Sequence, residues 1–245
     1  MSVRRSVRIL GTALAVTGVL ALIWVAVVWR WQDPFTALYT HWKQHQLARS
    51  YERRFAAYQP LRGLDRGATI AERLRTIARE ARAYRLESHR GEAIGRIRVP
   101  RLGLNMILVN GTDHDSLKKG PGRDLRTYMP GEGQLIYIAG HRTTYLAPFA
   151  HIDSLRRGDW VILEVPYATF KYRIFRHVIV PSDDLAALKS HGREVVALQA
   201  CHPRFFASHR YIAYGRLARV EPRGGQWFVP PSTQVAAAPL AAAQG

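Results

Sequence analysis

The chain has 245 residues, an apolar content of 47% and a single cysteine. This length allows one domain with appendages or two small domains, and one cysteine excludes an intramolecular disulfide. With 36 Lys and Arg against 18 Asp and Glu, the net charge is +18, which favours binding to polyanions. The charge alone does not distinguish nucleic acid, phospholipid head groups and acidic envelope polymers as partners.

Residues 1–30 are predicted to form an amino-terminal membrane anchor. Arginines precede Ile9–Trp29, a stretch of about 21 uncharged residues that as a helix would span roughly 31 Å, the thickness of a bilayer core. A cleaved signal peptide usually has an apolar core of only about 7–15 residues. We therefore expect a single-pass membrane protein whose remaining chain is extracytoplasmic. In that location an unpaired cysteine is either a reactive thiol or a residue without a function of its own.

Residues 31–92 are predicted to form a basic helical stalk. Apolar residues recur at helical spacing between Ile70 and Tyr84, with arginines around the rest of the helix. These arginines either contact anionic lipid or a wall polymer, or only keep a solvated stalk soluble. Pro60 and Gly63 are predicted to divide the segment into two helices.

Residues 93–221 are predicted to form a mainly β domain. Candidate strands separated by Gly, Pro and Asp lie at 94–99, 106–109, 135–139, 160–165, 169–177, 195–200 and 211–217. Many strands of about six residues with turns between them indicate a closed or nearly closed β-barrel. Short helical turns are predicted at 113–118 and 148–155.

Residues 222–245 are rich in Pro and Ala and are predicted to be a disordered tail.

Two of the predicted strands end on chemically active side chains. One apolar run leads to Cys201 and another ends on His141. A thiolate is a nucleophile, an imidazole can pass a proton to a leaving amine, and an arginine can stabilise an oxyanion. Arg210 and Arg204 are both candidates for the arginine. On spacing alone, a small core cysteine is the more common interpretation.

Five short blocks occur in the order IGRIRVP (94–100), NGTD (110–113), KGPG (119–122), IAGHRTTY (138–145) and ACHPRF (200–205). Together they closely resemble the sortase family, and within it class E, the housekeeping type of high-GC Gram-positive bacteria. The resemblance covers roughly residues 93–220. It implies an eight-stranded β-barrel with short helices. It also implies a catalytic set of His141, Cys201 and Arg210, and a substrate-pocket position for Tyr145. The alternative interpretation of Tyr145 is a packed barrel aromatic.

The resemblance further implies a membrane-bound cysteine transpeptidase. Sortases cut a Leu-Pro-x-Thr-Gly sorting signal between Thr and Gly, and class E members are associated with a Leu-Ala-x-Thr-Gly variant. The secreted protein that bears the signal forms a thioester with Cys201, and an amine of a peptidoglycan precursor resolves it. The resemblance implies no cofactor. No Cys/His cluster has metal-site spacing, and nucleic acid is not expected as a partner because the anchor places the basic domain outside the cell.

The strand before Cys201 departs from the family pattern Thr-Leu-x-Thr-Cys, since Ala197 and Ala200 replace both threonines. We expect the loss of a hydrogen bond to the substrate backbone and a larger pocket, in which Ala200 contacts the substrate. Because of this departure, two narrower functions remain as alternatives: a peptidase, and a specialised sortase with few substrates. The alternative from another class is a non-enzymatic, membrane-tethered module that binds acidic envelope polymers.

Overall fold

The computed structural model describes residues 3–31, 34–59 and 67–231. Its helices are α1 (Val3–Trp31), α2 (Pro34–Ala57), α3 (Ile70–Glu87) and α4 (His114–Leu117). Its strands are β1 (Ala93–Val99), β2 (Leu104–Asn110), β3 (Gly122–Arg123), β4 (Leu135–Ala139), β5 (Trp160–Val165), β6 (Ala168–Pro181), β7 (Val195–His202) and β8 (His209–Pro222). The predicted helix break at Pro60 and Gly63 lies outside the described residues, as does residue range 232–245 of the predicted tail.

The strands close into a barrel in the order β1-β2-β3-β4-β7-β8-β6-β5, which confirms the predicted eight-stranded, mainly β fold. β5 and β6 form a hairpin, with Val165 opposite Ala168. Burial alternates along β5 because successive side chains of a strand point to opposite faces. β6 and β8 are longer than predicted, at 14 residues each, and pair along their whole length.

Helix α3 packs its predicted apolar face on the barrel. Thr69 and Glu72 form a capping box at its amino terminus, which satisfies two otherwise unpaired donors. Ile77 and Tyr84 are buried in the main core, and the Tyr84 hydroxyl donates to the carbonyl of Ile94 in β1 at 3.0 Å.

Helix α2 is fixed to the barrel by side-chain hydrogen bonds. Gln44 donates from Nε2 to the carbonyls of Ile107 (3.1 Å) and Lys119 (2.7 Å), and the Tyr51 hydroxyl donates to the carbonyl of Glu164 at 3.2 Å. The segment predicted as a stalk is therefore helical but lies against the barrel. It does so because α3 buries apolar side chains in the main core, while α2 makes hydrogen bonds to β2 through Gln44 and to β5 through Tyr51.

The packed domain continues past the boundary predicted at residue 221. Phe228 is 6% exposed, and its backbone forms a two-hydrogen-bond bridge with Val220. The first part of the segment predicted as a tail is thus part of the β domain.

Glu194 lies directly before β7 and accepts three hydrogen bonds. These come from the Tyr172 hydroxyl (2.8 Å) and the backbone N–H groups of Gly131 (2.9 Å) and Gly133 (3.0 Å). Burial nevertheless raises the pKa of its carboxyl group to about 7. The protonated form is therefore the one that the folded state favours below that pH.

We expect the stability to depend on pH through Glu194. In the unfolded chain its pKa is about 4.3, so the folded state binds the proton more tightly and its stability falls as pH rises from about 4 to about 7. A Glu194→Gln variant should lack this decline. The free energy of unfolding of the wild type relative to the variant should fall by roughly 2–4 kcal/mol between pH 5 and pH 8, measured by urea unfolding at each pH. Parallel pH profiles for the two proteins would contradict this assignment.

Candidate active site

A cavity of about 270 Å³ opens where β4 and β7 end and β8 begins. His141, Cys201 and Arg210 all line it. Its polar lining also includes Thr112, Asp124, Arg126, Ser182, Asp184 and Gln199, and its apolar lining includes Leu117, Val180, Leu185 and Leu188. Within the described ranges, no group of three or more His, Cys, Asp or Glu side chains could hold a metal ion.

Strand pairing explains why three distant residues meet in this cavity. β4 and β7 run parallel, and the Gly140 N–H donates to the carbonyl of Gln199 at 3.0 Å. His141 follows Gly140 directly, so it lies beside the end of β7 that carries Cys201. β8 runs antiparallel to β7 and places Arg210 directly opposite Cys201.

His141 is partly buried, and its Nε2 atom is shielded from solvent without a hydrogen-bond partner. Burial lowers its pKa, and the nearby His114 lowers it further. The imidazole is therefore mainly neutral at pH 7. A neutral imidazole with an unpartnered nitrogen is suited to accept a proton in the cavity that holds the Cys201 thiol.

Removing the charge of His114 should raise the pKa of His141. A His114→Gln variant should move it only part of the way toward the ordinary value of about 6.5, because burial is the larger cause. Titration of the imidazole signals by NMR measures this shift. His191→Gln, another exposed histidine replacement, is the matched control and should leave His141 unchanged. An unchanged His141 pKa in His114→Gln would contradict the electrostatic coupling.

The two candidate arginines occupy different environments. Arg210 lines the cavity, and its Nη1 donates to the carbonyls of Ala207 (2.7 Å) and His209 (3.0 Å). Arg204 is not among the lining residues. Its guanidinium lies 5.6 Å from the ring centroid of Phe205, and its buried Nε has no hydrogen-bond partner. The geometry thus favours Arg210 over Arg204 as the cation that faces Cys201.

Tyr145 lies beside the cavity but is not part of its lining. Its ring centroid is 5.0 Å from that of His141, with the planes tilted by 38°. Its backbone N–H donates to Thr36 Oγ1 of α2 at 3.1 Å. The structure therefore places Tyr145 as a neighbour of the histidine. The substrate contact predicted for it stays a prediction.

Ala200, which is predicted to contact the substrate, lies in the core of the barrel and is 0% exposed. Neighbouring residues on a strand point to opposite faces, so Ala200 points away from the face that carries Cys201. Gln199 lies on the Cys201 face and lines the cavity, and Ala197 lies on the same face under the segment that joins β6 to β7. The missing hydroxyl at Ala200 therefore changes the core and not the pocket.

Arg142 was not predicted as a site residue, yet it connects to the end of β7. Its side chain is 5% exposed, and Nη1 donates to the Cys201 carbonyl at 3.2 Å and lies 3.1 Å from His202 Nδ1. Nη2 pairs with the Asp153 carboxylate at 2.7 Å. The only sequence signal was its place directly after His141 in the IAGHRTTY block.

A family model described as the sortase domain matches residues 97–218. Sortase D of Bacillus subtilis is 35% identical over 130 residues, which are 51% of this chain and 64% of that protein. Sortase SrtE1 of Streptomyces coelicolor is 25% identical over 150 residues, which are 54% of this chain and 42% of that protein. The chain thus spans less than two thirds of the length of either relative.

Solved structures show the same fold. A sortase D5 transpeptidase from Clostridium perfringens superposes with a TM-score of 0.57 at 21% identity, covering 71% of this chain and 98% of that one. The SrtA sortase from Actinomyces oris superposes with a TM-score of 0.52 at 25% identity, covering 56% and 86% of the two chains.

Proposed function

Since the chain belongs to the sortase family, we propose that it is a cysteine transpeptidase that works through a thioester on Cys201. The observation that supports this most directly is the single cavity into which β4, β7 and β8 bring His141, Cys201 and Arg210. A nucleophile, a proton carrier and a cation at adjoining strand ends are the parts that acyl transfer needs.

In the acylation step, the Cys201 sulfur attacks the carbonyl carbon of the scissile bond, and the thiol proton moves to His141. The carbonyl oxygen becomes an oxyanion that Arg210 stabilises. A guanidinium has five N–H donors, and the two bonds to backbone carbonyls use Nη1 alone, which leaves the donors on Nε and Nη2 available for the oxyanion. When the C–N bond breaks, the leaving amine takes the proton from His141 and the acyl group stays on Cys201.

In the transfer step, an acceptor amine attacks the thioester carbon and loses a proton to His141. The new amide forms as the C–S bond breaks, and the Cys201 thiolate takes the proton back from the imidazole. Because His141 is mainly neutral before each attack, it is ready to accept a proton in both steps.

The proposed substrate is a secreted protein with a Leu-Pro-x-Thr-Gly or Leu-Ala-x-Thr-Gly signal, cut between Thr and Gly, and the proposed acceptor is a peptidoglycan-precursor amine. Class E is a narrower proposal that rests on the five sequence blocks. The sequence identities to known sortases do not single out class E, because sortase D is 35% identical to this chain and sortase SrtE1 is 25% identical. Gln199 is the side chain of β7 through which we expect the signal to be read.

We also propose that α1 anchors the protein in the cell membrane with the barrel on the extracytoplasmic side. Within Arg4–Val27 an 18-residue window has a mean hydropathy of 2.3, and by length and composition the helix can cross a bilayer. A signal sequence near the amino terminus has a similar length and apolar composition.

The test is incubation of the full chain with two peptides, one for each signal, and a glycine-based amine, followed by mass spectrometry. Cleavage after Thr with a thioester on Cys201 and an amide to the added amine is the expected result. Hydrolysis alone, even with excess amine, would indicate a peptidase instead. No thioester and no product with either peptide, together with salt-sensitive binding to an acidic polymer, would support the non-enzymatic binding module that the net charge of +18 suggests.

A further inference from the structure

Helix α2 runs along the barrel from the catalytic end to the opposite end. In its first turn, Thr36 accepts a hydrogen bond from Tyr145, in the loop after His141. At its other end, the carbonyl of Phe55 accepts one from Arg223, which directly follows β8. The helix has 24 residues, or about 36 Å, and so reaches most of the way along β8, whose 14 residues extend roughly 46 Å.

The start of α2 fixes where α1 ends. α1 ends at Trp31 and α2 begins at Pro34, so the two helix ends are at most about 11 Å apart. Because the first turn of α2 touches the histidine loop, the carboxyl end of α1 lies close to the catalytic end of the barrel.

Large apolar side chains are exposed at this same end. On α2, Leu38 is 72% exposed and Trp42 53%, and the Lys43 ammonium lies 4.3 Å from the Trp42 ring. In the loop between β7 and β8, Phe205 is 62% exposed and Phe206 81%. Single exposed apolar residues are common, but exposed aromatic residues with adjacent cations on two segments at one end of a domain are typical of a membrane interface.

We infer that the catalytic end of the barrel rests on the surface of the bilayer that α1 crosses. The membrane-contact residues are Leu38, Trp42, Phe205 and Phe206, in the head-group layer at a depth of about 5–10 Å. Their cationic surroundings and the net charge of +18 fit anionic phospholipids. The inference rests on the proposed function in one respect, that α1 is a membrane anchor.

This placement restricts the substrates. The cavity with Cys201 opens at the membrane surface, so both the scissile bond and the acceptor amine must lie close to the bilayer. Substrates held deeper in the envelope would not reach the thiol, because α2 is bonded to the barrel at Gln44 and Tyr51 and holds the catalytic end in place.

Environment-sensitive labels on the full chain test the inference. Cys201 is the only cysteine, so a Cys201→Ala background allows single NBD labels on the variants Phe206→Cys and Leu38→Cys. Trp227→Cys is the matched control, because Trp227 is also an exposed aromatic residue, at 55%, and lies near Val220 at the opposite end of β8. Leu14→Cys reports on α1 itself. Each protein is reconstituted in vesicles of phosphatidylglycerol and phosphatidylcholine, with head-group nitroxide lipid and aqueous iodide as quenchers.

The expected result is that nitroxide lipid quenches the labels at 206 and 38 while iodide does not, and that the label at 227 shows the reverse. A label at 206 that iodide quenches as readily as the one at 227 would overturn the placement. If iodide also quenches the label at 14, α1 does not cross the membrane, and both the anchor and the placement are wrong. The peptide assay of the unlabelled wild type is separate, so transpeptidase activity can survive the failure of this inference.

Discussion

Replacing Cys201 by alanine is expected to abolish both the covalent intermediate and the products. The side chain lines the cavity opposite Arg210, and no other cysteine exists to take over the attack. Without a thiol there is no thioester, and we expect the rate of peptide cleavage to fall by at least about 1,000-fold. Liquid chromatography with mass spectrometry measures the product and the mass of the intact protein.

Two measurements make this result specific. Thermal unfolding of Cys201→Ala should match the wild type, because the residue is partly exposed at a strand end and the change removes one atom. Cys201→Ser should retain the shape of the site but react far more slowly, since a hydroxyl is rarely ionised near neutral pH. Cleavage by Cys201→Ala at the wild-type rate would show that the cavity is not the catalytic site.

The strands were predictable where their side chains alternate or form apolar runs. β4 and β5 begin and end at the predicted residues. β3 was missed because it has two residues and one of them, Arg123, is an arginine in the core at 1% exposure. Its charge is tolerated there because Asn110 Oδ1 accepts two of its hydrogen bonds, at 2.7 and 3.0 Å, a partner that no local pattern reveals.

The sequence predicts those site residues that lie at the ends of apolar strands. His141, Cys201 and Arg210 line one cavity, as the resemblance to sortases implies, while their catalytic roles stay predictions. Strand alternation, which can be read from the sequence, places Ala200 on the face of β7 opposite to that of Cys201. Arg142 could not be found in this way, because its partner Asp153 and the end of β7 meet it only through tertiary contacts.

Replacing Arg142 by methionine is expected to lower kcat by about 100-fold with little change in KM. The guanidinium holds the carbonyl of Cys201 and the ring of His202, so its loss lets the end of β7 shift, and a shift of about 1 Å at a reacting atom costs this much. Loss of buried hydrogen bonds to a charged group should also lower the free energy of unfolding by roughly 1.5–3 kcal/mol. Steady-state kinetics with the signal peptide and urea unfolding measure the two effects.

Comparison with three variants distinguishes a role of Arg142 in positioning Cys201 from a general role in stabilising the fold. Arg142→Lys should recover part of kcat, because an ammonium can reach one partner but not all of them. Asp153→Asn should have a smaller effect, since the Asp153 side chain is 53% exposed and exposed ion pairs contribute at most about 1 kcal/mol. Arg101→Met breaks an ion pair with Asp159 away from the cavity and should leave kcat unchanged. If Arg142→Met lost stability but kept the wild-type kcat at temperatures where it is folded, the arginine would support the fold without positioning Cys201.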